Sequence, residues 1–100
     1  MGLRFEWDKN KAQTNLKKHG VSFDEAVTVF DDPLAYIFYD EDHSDDEARE
    51  IVIGQSKRDR LLMVCFVERV VDVVRIISAR LATKKECEDY EENAKRQTSG

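Results

Sequence analysis

The sequence predicts an α+β fold: a mainly antiparallel sheet of four to five strands, carrying two N-terminal helices and one C-terminal helix. Three observations predict it. The run from Val73, VVRIISAR, is rich in β-branched residues that suit a pleated, buried surface, with Arg75, Ser78 and Arg80 as its polar groups. Thr83, followed three residues later by Glu86, forms a capping box that stops this strand near Arg80 and opens a last helix. Two capped helical stretches precede three further strand-like runs, so the order strand, two helices, four strands, helix makes a meander with helices packed on it.

Taken in order, Leu3 to Glu6 suits a short strand. Asp8 is an N-cap, Trp7 and Ala12 can staple the helix start, and Gly20 is a left-handed stop, so a helix runs from about Lys9 to His19. Its inward face is Ala12, Asn15, Leu16 and His19, a thin apolar stripe whose two polar members need partners or water. His19 reads either as a cation favoured by the helix C-terminus or as a catalytic group. Ser22 and Glu25 form a second capping box, and Phe23, Ala26, Val27 and Phe30 share one face of a core helix that ends before Pro33. Leu34 to Tyr39 is a strand, Asp40 to Asp46 an acidic loop, and Arg49 to Gly54 the next strand. After the basic turn Gln55 to Arg60 comes a buried strand, Leu61 to Val67, and Glu68 to Asp72 turns the chain into the run that begins at Val73. The tail after Tyr90, above all beyond residue 96, is expected to fray.

One hundred residues suit one domain with one core. No apolar run approaches the roughly 20 residues of a membrane span, and the polar start MGLRFEWDKNK is unlike a signal peptide, so a cytoplasmic protein is expected. Cys65 and Cys87 suit small hydrophobes better than a disulfide framework, and a zinc site would need more ligands at tighter spacing. The acidic loop invites a metal reading, but the glycine of a calcium loop is absent, so a solvated hairpin loop is the simpler account and no metal is assigned. A net charge of −5 argues against a protein that coats nucleic acid through bulk charge and permits a basic partner. Its distribution is uneven. Lys57, Arg58 and Arg60 share one end of the meander with Arg80, Lys84 and Lys85; the acidic loop, Glu47, Arg49 and Arg75 lie about 20 Å away at ~3.3 Å per residue.

The segments FEWD at Phe5 to Asp8, NLKKHGVSF at Asn15 to Phe23, Glu47-x-Arg49 before IVIG, and RIISARLATKKE at Arg75 to Glu86 followed by Tyr90 resemble the BrnT family of bacterial toxins in nearly the whole chain and in order. The resemblance implies a RelE-like fold and a ribonuclease that acts on RNA and shuts down translation. It also implies a BrnA-type ribbon-helix-helix antitoxin encoded beside it, through which the toxin joins a complex on operator DNA. The sequence departs from the family pattern at Arg69 to Asp72, which lacks the usual turn glycine, and in the unusually acidic DEDHSDDEARE.

RNA cleavage without a metal lets the 2′-hydroxyl attack its own phosphate. The site then needs a base, cations against the charge of the phosphorane, and an acid for the leaving oxygen. Arginine suits the second role, because its planar fork holds two phosphate oxygens and stays protonated. Arg49 and Arg75 are the candidates for the phosphorane, and His43 or Glu47 for proton transfer. Each arginine reads equally as a salt-bridge partner, and Arg80 as an anchor for the helix start or a phosphate. Lys17, Lys18, Lys84 and Lys85 would hold backbone phosphates or form a solvated face. The rival to a nuclease is a non-catalytic partner subunit of a DNA-binding repressor complex.

Overall fold

The computed structural model describes residues 2–41 and 48–98. One sheet of five strands forms the frame: β1 (Arg4–Glu6), β2 (Tyr36–Tyr39), β3 (Glu50–Gln55), β4 (Leu61–Val70) and β5 (Val73–Leu81). Their spatial order is β1-β5-β4-β3-β2. Strands β2 to β5 are an antiparallel meander, whereas β1 pairs parallel to β5, Phe5 opposite Val74 and Glu6 opposite Arg75. The sheet is therefore mixed, and the α+β class expected from the sequence is the one observed. The first strand lies beside the last.

Helix α1 (Lys9–His19) starts where Asp8 accepts from the N–H groups of Asn10 and Lys11 at 2.8 and 3.1 Å. It stops at Gly20, whose φ of 68° costs glycine nothing and whose N–H donates to the Leu16 carbonyl. Helix α2 (Phe23–Val27) is shorter than expected and tightens into a 3-10 turn over Thr28–Asp31. Ser22 caps it by accepting from the Glu25 N–H at 3.0 Å, but the second half of that capping box is missing. The Glu25 side chain turns inward instead, to Arg60 and Ser56. In α3 (Lys84–Thr98) the box is complete: Thr83 Oγ1 accepts from the Glu86 N–H, and Glu86 Oε1 accepts from the Thr83 N–H.

One face of the sheet meets α2 and the 3-10 turn. Val52, Leu62, Val64, Phe66, Val74, Ile76 and Ala79 pack there against Val21, Phe23, Ala26 and Val29. Phe30 is wedged between Phe5 and Phe66, with ring centroids 5.0 and 5.1 Å away. Gly54 is required where β3 passes under the 3-10 turn, since a Cβ there would lie 2.8 Å from that of Ala35. Strand β4 continues to Val70, three residues beyond the expected end, and Val71 and Asp72 make the turn. Asp72 takes the left-handed conformation (φ 67°) that the absent turn glycine would have supplied.

The stripe expected on α1 is only half right. Asn15 is buried and Ala12 half-buried, but Leu16 and His19 are exposed. The reason is the place of α1 beside the edge of β5 rather than over the sheet, which leaves it a single line of contact.

Candidate nucleic-acid cleft

Strand β1 covers only the first part of β5, so the backbone of β5 beyond Arg75 has no neighbouring strand on that side. Asn15 fills the gap. Its Nδ2 donates to the carbonyls of Ala79 and Val21 at 2.8 and 2.9 Å, and its Oδ1 accepts from the Ala79 N–H at 3.1 Å. This bond fixes α1 beside β5 and leaves a cleft of about 450 Å³ between the helix and the sheet.

The second face of the sheet forms the floor of that cleft. Strict alternation would put Arg75 and Ser78 on opposite faces, since they are three residues apart. A bulge opposite Cys65 and Phe66 takes up one residue of β5, so Ser78 pairs with Cys65 and Arg75 with Val67. Arg75, Ser78 and Arg80 thus share the face turned away from the core cluster. One step beyond the β3–β4 ladder, Arg49 falls opposite the same Val67. Arg49 and Arg75 therefore flank one valine, two strand spacings or roughly 10 Å apart.

Arg49, Ile77 and Ser78 line the cleft from the sheet, and Asn10, Lys11, Thr14, Asn15, Lys18 and His19 from α1. Among these lining residues are three formal cations and no carboxylate, in a chain whose net charge is −5. Arg49 and Ser78 also border a smaller hollow of about 200 Å³ with Asp40, Ile51, Met63 and Cys65. Burial pushes the Cys65 thiol up, which favours the unreactive thiol over the thiolate. It belongs to the floor rather than to the chemistry.

Of the residues singled out in the sequence, Arg49, Lys18 and His19 are brought together in the cleft. Arg75 lies on the same face but is engaged by Glu6 of β1 at 3.1 Å, a cross-strand pair that is partly exposed on both sides. Arg80, opposite Met63, is four ladder rows from Arg75 and holds Glu86 with two nitrogens, at 2.8 and 3.0 Å, while donating to the Leu81 carbonyl. It anchors the start of α3. The Arg80 bond holds the Glu86 carboxyl below its usual range despite burial, with the Thr83 N–H adding to the effect. Lys84 opens α3 with an exposed side chain, and Lys85 pairs with Asp89 at 2.8 Å. Neither lines the cleft. His43 and Glu47 lie outside the described residues. Lys11, Thr14 and Ser78 were missed as site residues, although Lys11, Thr14 and Lys18 fall at i, i+3 and i+7 of α1, a polar stripe legible by helical spacing alone.

Among the described residues, no group of three or more His, Cys, Asp or Glu side chains is placed to hold a metal ion, and no helix is long and apolar enough to cross a membrane.

Comparison with known proteins agrees with this architecture. Residues 7–86 match the family model described as the ribonuclease toxin BrnT of type II toxin-antitoxin systems. The chain is also similar to the 1.1 Å crystal structure of the Brucella abortus ribonuclease toxin BrnT, with 26% identity and a TM-score of 0.65. That match covers 82% of this chain and 99% of the other. No curated protein matches.

Proposed function

Because this chain belongs to the BrnT family of type II ribonuclease toxins, we propose that it is a metal-independent endoribonuclease of the cytoplasm that stops translation by cutting RNA. A BrnA-type ribbon-helix-helix antitoxin neutralises it, and it reaches operator DNA only through that antitoxin.

The observation that carries this reading is the cleft itself: Lys11, Lys18 and Arg49 with no carboxylate among the lining residues, on a protein that is acidic as a whole. A surface of that kind selects a polyanion locally while the net charge discourages indiscriminate binding. In the reaction the 2′-oxygen forms a bond to the adjacent phosphorus, the bond from phosphorus to the 5′-oxygen breaks, and a cyclic phosphate and a 5′-hydroxyl result. Arg49 faces the phosphorane, where a guanidinium fork stabilises charge that develops only in the transition state. Arg75, across Val67, supplies the second cation, and exchanging Glu6 for a phosphate requires no movement of the strands. Proton transfer falls to Glu47 and His43, which precede Arg49 in the chain by two and six residues. Lys18 and Lys11 hold flanking phosphates.

The test is cleavage of RNA by the purified chain with and without EDTA. Undiminished cutting after chelation supports the proposal. Cutting that stops with EDTA and returns with a divalent ion overturns it.

A further inference from the structure

The hollow that shares Arg49 and Ser78 with the cleft differs from it in chemistry. Its floor follows from the register of the sheet. Phe38, Ile51, Cys65 and Ser78 lie opposite one another across β2, β3, β4 and β5, and Met63 is two residues from Cys65 on the same face of β4. Ile51, Met63 and Cys65 thus give the hollow an apolar bottom. At its rim stand one cation and one carboxylate. These are Arg49 and Asp40, brought side by side where the Asp40 N–H donates to the Arg49 carbonyl at 2.9 Å. Both charges reach the floor: burial is the main cause of the raised Cys65 thiol, and beneath it Arg49 acts downward and Asp40 upward. The other arginines of this face are held by carboxylates of their own, Arg75 by Glu6 and Arg80 by Glu86.

A carboxylate beside a phosphate site needs an account, because it repels the polyanion that the cations of the cleft attract. Offsetting the charge of Arg49 is one account. The apolar floor beneath Asp40 points to another. Single-stranded RNA is read by packing against the faces of its bases and by hydrogen bonds along their edges. A cavity of roughly 150 Å³ takes a benzene ring, so a hollow of about 200 Å³ has room for the flat rings of one nucleobase. The sulfur atoms of Met63 and Cys65 suit contact with such a ring. Phe38, 40% exposed and stacked on Tyr36 with centroids 5.7 Å apart, continues the platform outward from Ile51. The edge is chosen by Asp40, since an ionised carboxylate only accepts. Guanine alone among the four bases of RNA offers two adjacent donors, N1–H and its 2-amino group. Adenine and cytosine set a ring acceptor beside the amino donor, and uracil flanks its one N–H with two carbonyls.

We propose that this hollow is a nucleobase subsite that selects guanine next to the phosphate held at Arg49, with Asp40 accepting from N1–H and the 2-amino group and Ile51, Met63 and Cys65 lying under the ring. The subsite rests on the reading of the cleft as an RNA site and gives that site a sequence preference. Cleft cations hold the backbone without regard to sequence, and the hollow beside them supplies the choice of base.

The experiment is equilibrium binding of short 2′-deoxy oligonucleotides, which cannot be cut by 2′-hydroxyl attack. They are uniform in thymine except at one position, which carries guanine, hypoxanthine, adenine, cytosine or thymine. Hypoxanthine keeps N1–H and lacks the 2-amino group. Wild type should bind the guanine oligonucleotide about 10-fold or more tighter than the hypoxanthine one, the scale of one hydrogen bond to a charged acceptor, and tighter still than the rest. Asp40→Asn, which keeps the backbone bond to Arg49, should bring guanine and hypoxanthine within about 2-fold, and Asp40→Glu should keep guanine first. Equal wild-type affinity for guanine and hypoxanthine overturns the proposal without need of a variant. So does a guanine preference that survives in Asp40→Asn, which would leave Asp40 as a counter-charge to Arg49. Binding of none of the oligonucleotides brings down the RNA reading and the subsite together, whereas guanine-dependent binding by a chain that cuts no RNA upholds the subsite and removes the nuclease.

Discussion

The carboxamide of Asn15 pairs with both backbone groups of Ala79, 64 residues away in sequence, and so takes the place of a strand that the sheet lacks. Replacing it with alanine strands the N–H and C=O of Ala79 in a buried position, together with the Val21 carbonyl. Since an unmet buried group costs about 1–3 kcal/mol, Asn15→Ala should lose about 2–4 kcal/mol, read as a lower urea midpoint. A midpoint within error of wild type would mean that α1 is not held to β5 by this side chain.

Glu25 is buried and bonded to Arg60 and Ser56, and Arg60 also donates to the Gly20 carbonyl. The Arg60 bond holds its carboxyl below the usual range, against burial and with help from Ser56. A depressed folded-state pKa contributes stability that is complete above the ordinary value of 4.5 and is lost as pH falls through the folded value. Wild type should therefore weaken steeply in acid below pH 4.5, and Glu25→Gln should show a flatter dependence there. Arg60→Ala leaves the buried carboxylate with only the Ser56 hydroxyl as partner and should lower the urea midpoint at pH 7.

Tyr90 donates to Asp32 at 2.6 Å and ties α3 to the strand-turn layer. Burial and that carboxylate push the Tyr90 hydroxyl up to about 12. The contribution is full below the ordinary value of 10 and is lost as pH rises through about 12. Tyr90→Phe should cost about 1.5–3 kcal/mol, the range for a hydrogen bond to a charged group, and should remove the alkaline loss. Equal stability of the variant at pH 7 and an unchanged alkaline limb would refute the tie.

In the cleft, Arg49→Ala should lower kcat by about 10²–10³ with the fold intact, the scale of one lost transition-state donor. Lys18→Ala should instead weaken binding of a non-cleavable 2′-deoxy oligonucleotide and reduce its log-log salt slope by about 0.7. Arg75→Ala should lose cleavage while still binding the antitoxin. Full activity in that variant would leave Arg75 as the partner of Glu6 and nothing more.

Gly54→Ala places a methyl 2.8 Å from the Ala35 side chain and 3.2 Å from the Val29 carbonyl. Overpacking of this kind costs about 1–3 kcal/mol. A variant as stable as wild type in thermal unfolding would show that the 3-10 turn yields.

Local signals were the legible ones. Asp8, Gly20, Ser22, Thr83 and Glu86 mark helix ends because a cap is read within four residues. The site was legible only in its residue types. Arg75 and Ser78 share a face because of a bulge, and a one-residue change of register leaves no trace in an alternating apolar pattern. Arg80 and Glu86 were each visible, but their mutual bond depends on how α3 folds back over the strand end. The cleft joins α1 to the start of β3, elements some 30 residues or more apart, so no window of sequence contains it. Leu16 misled for the opposite reason. Helical spacing says which residues share a face and not how much of that face is covered.

The parallel pairing of β1 with β5 has a temporal consequence. Residues 4–6 and Asn15 are synthesised well ahead of their partners, residues 73–81, with 64 residues separating Asn15 from Ala79. Neither wall of the cleft can be fixed until that later stretch emerges, so a polypeptide cut short before it lacks the cleft altogether.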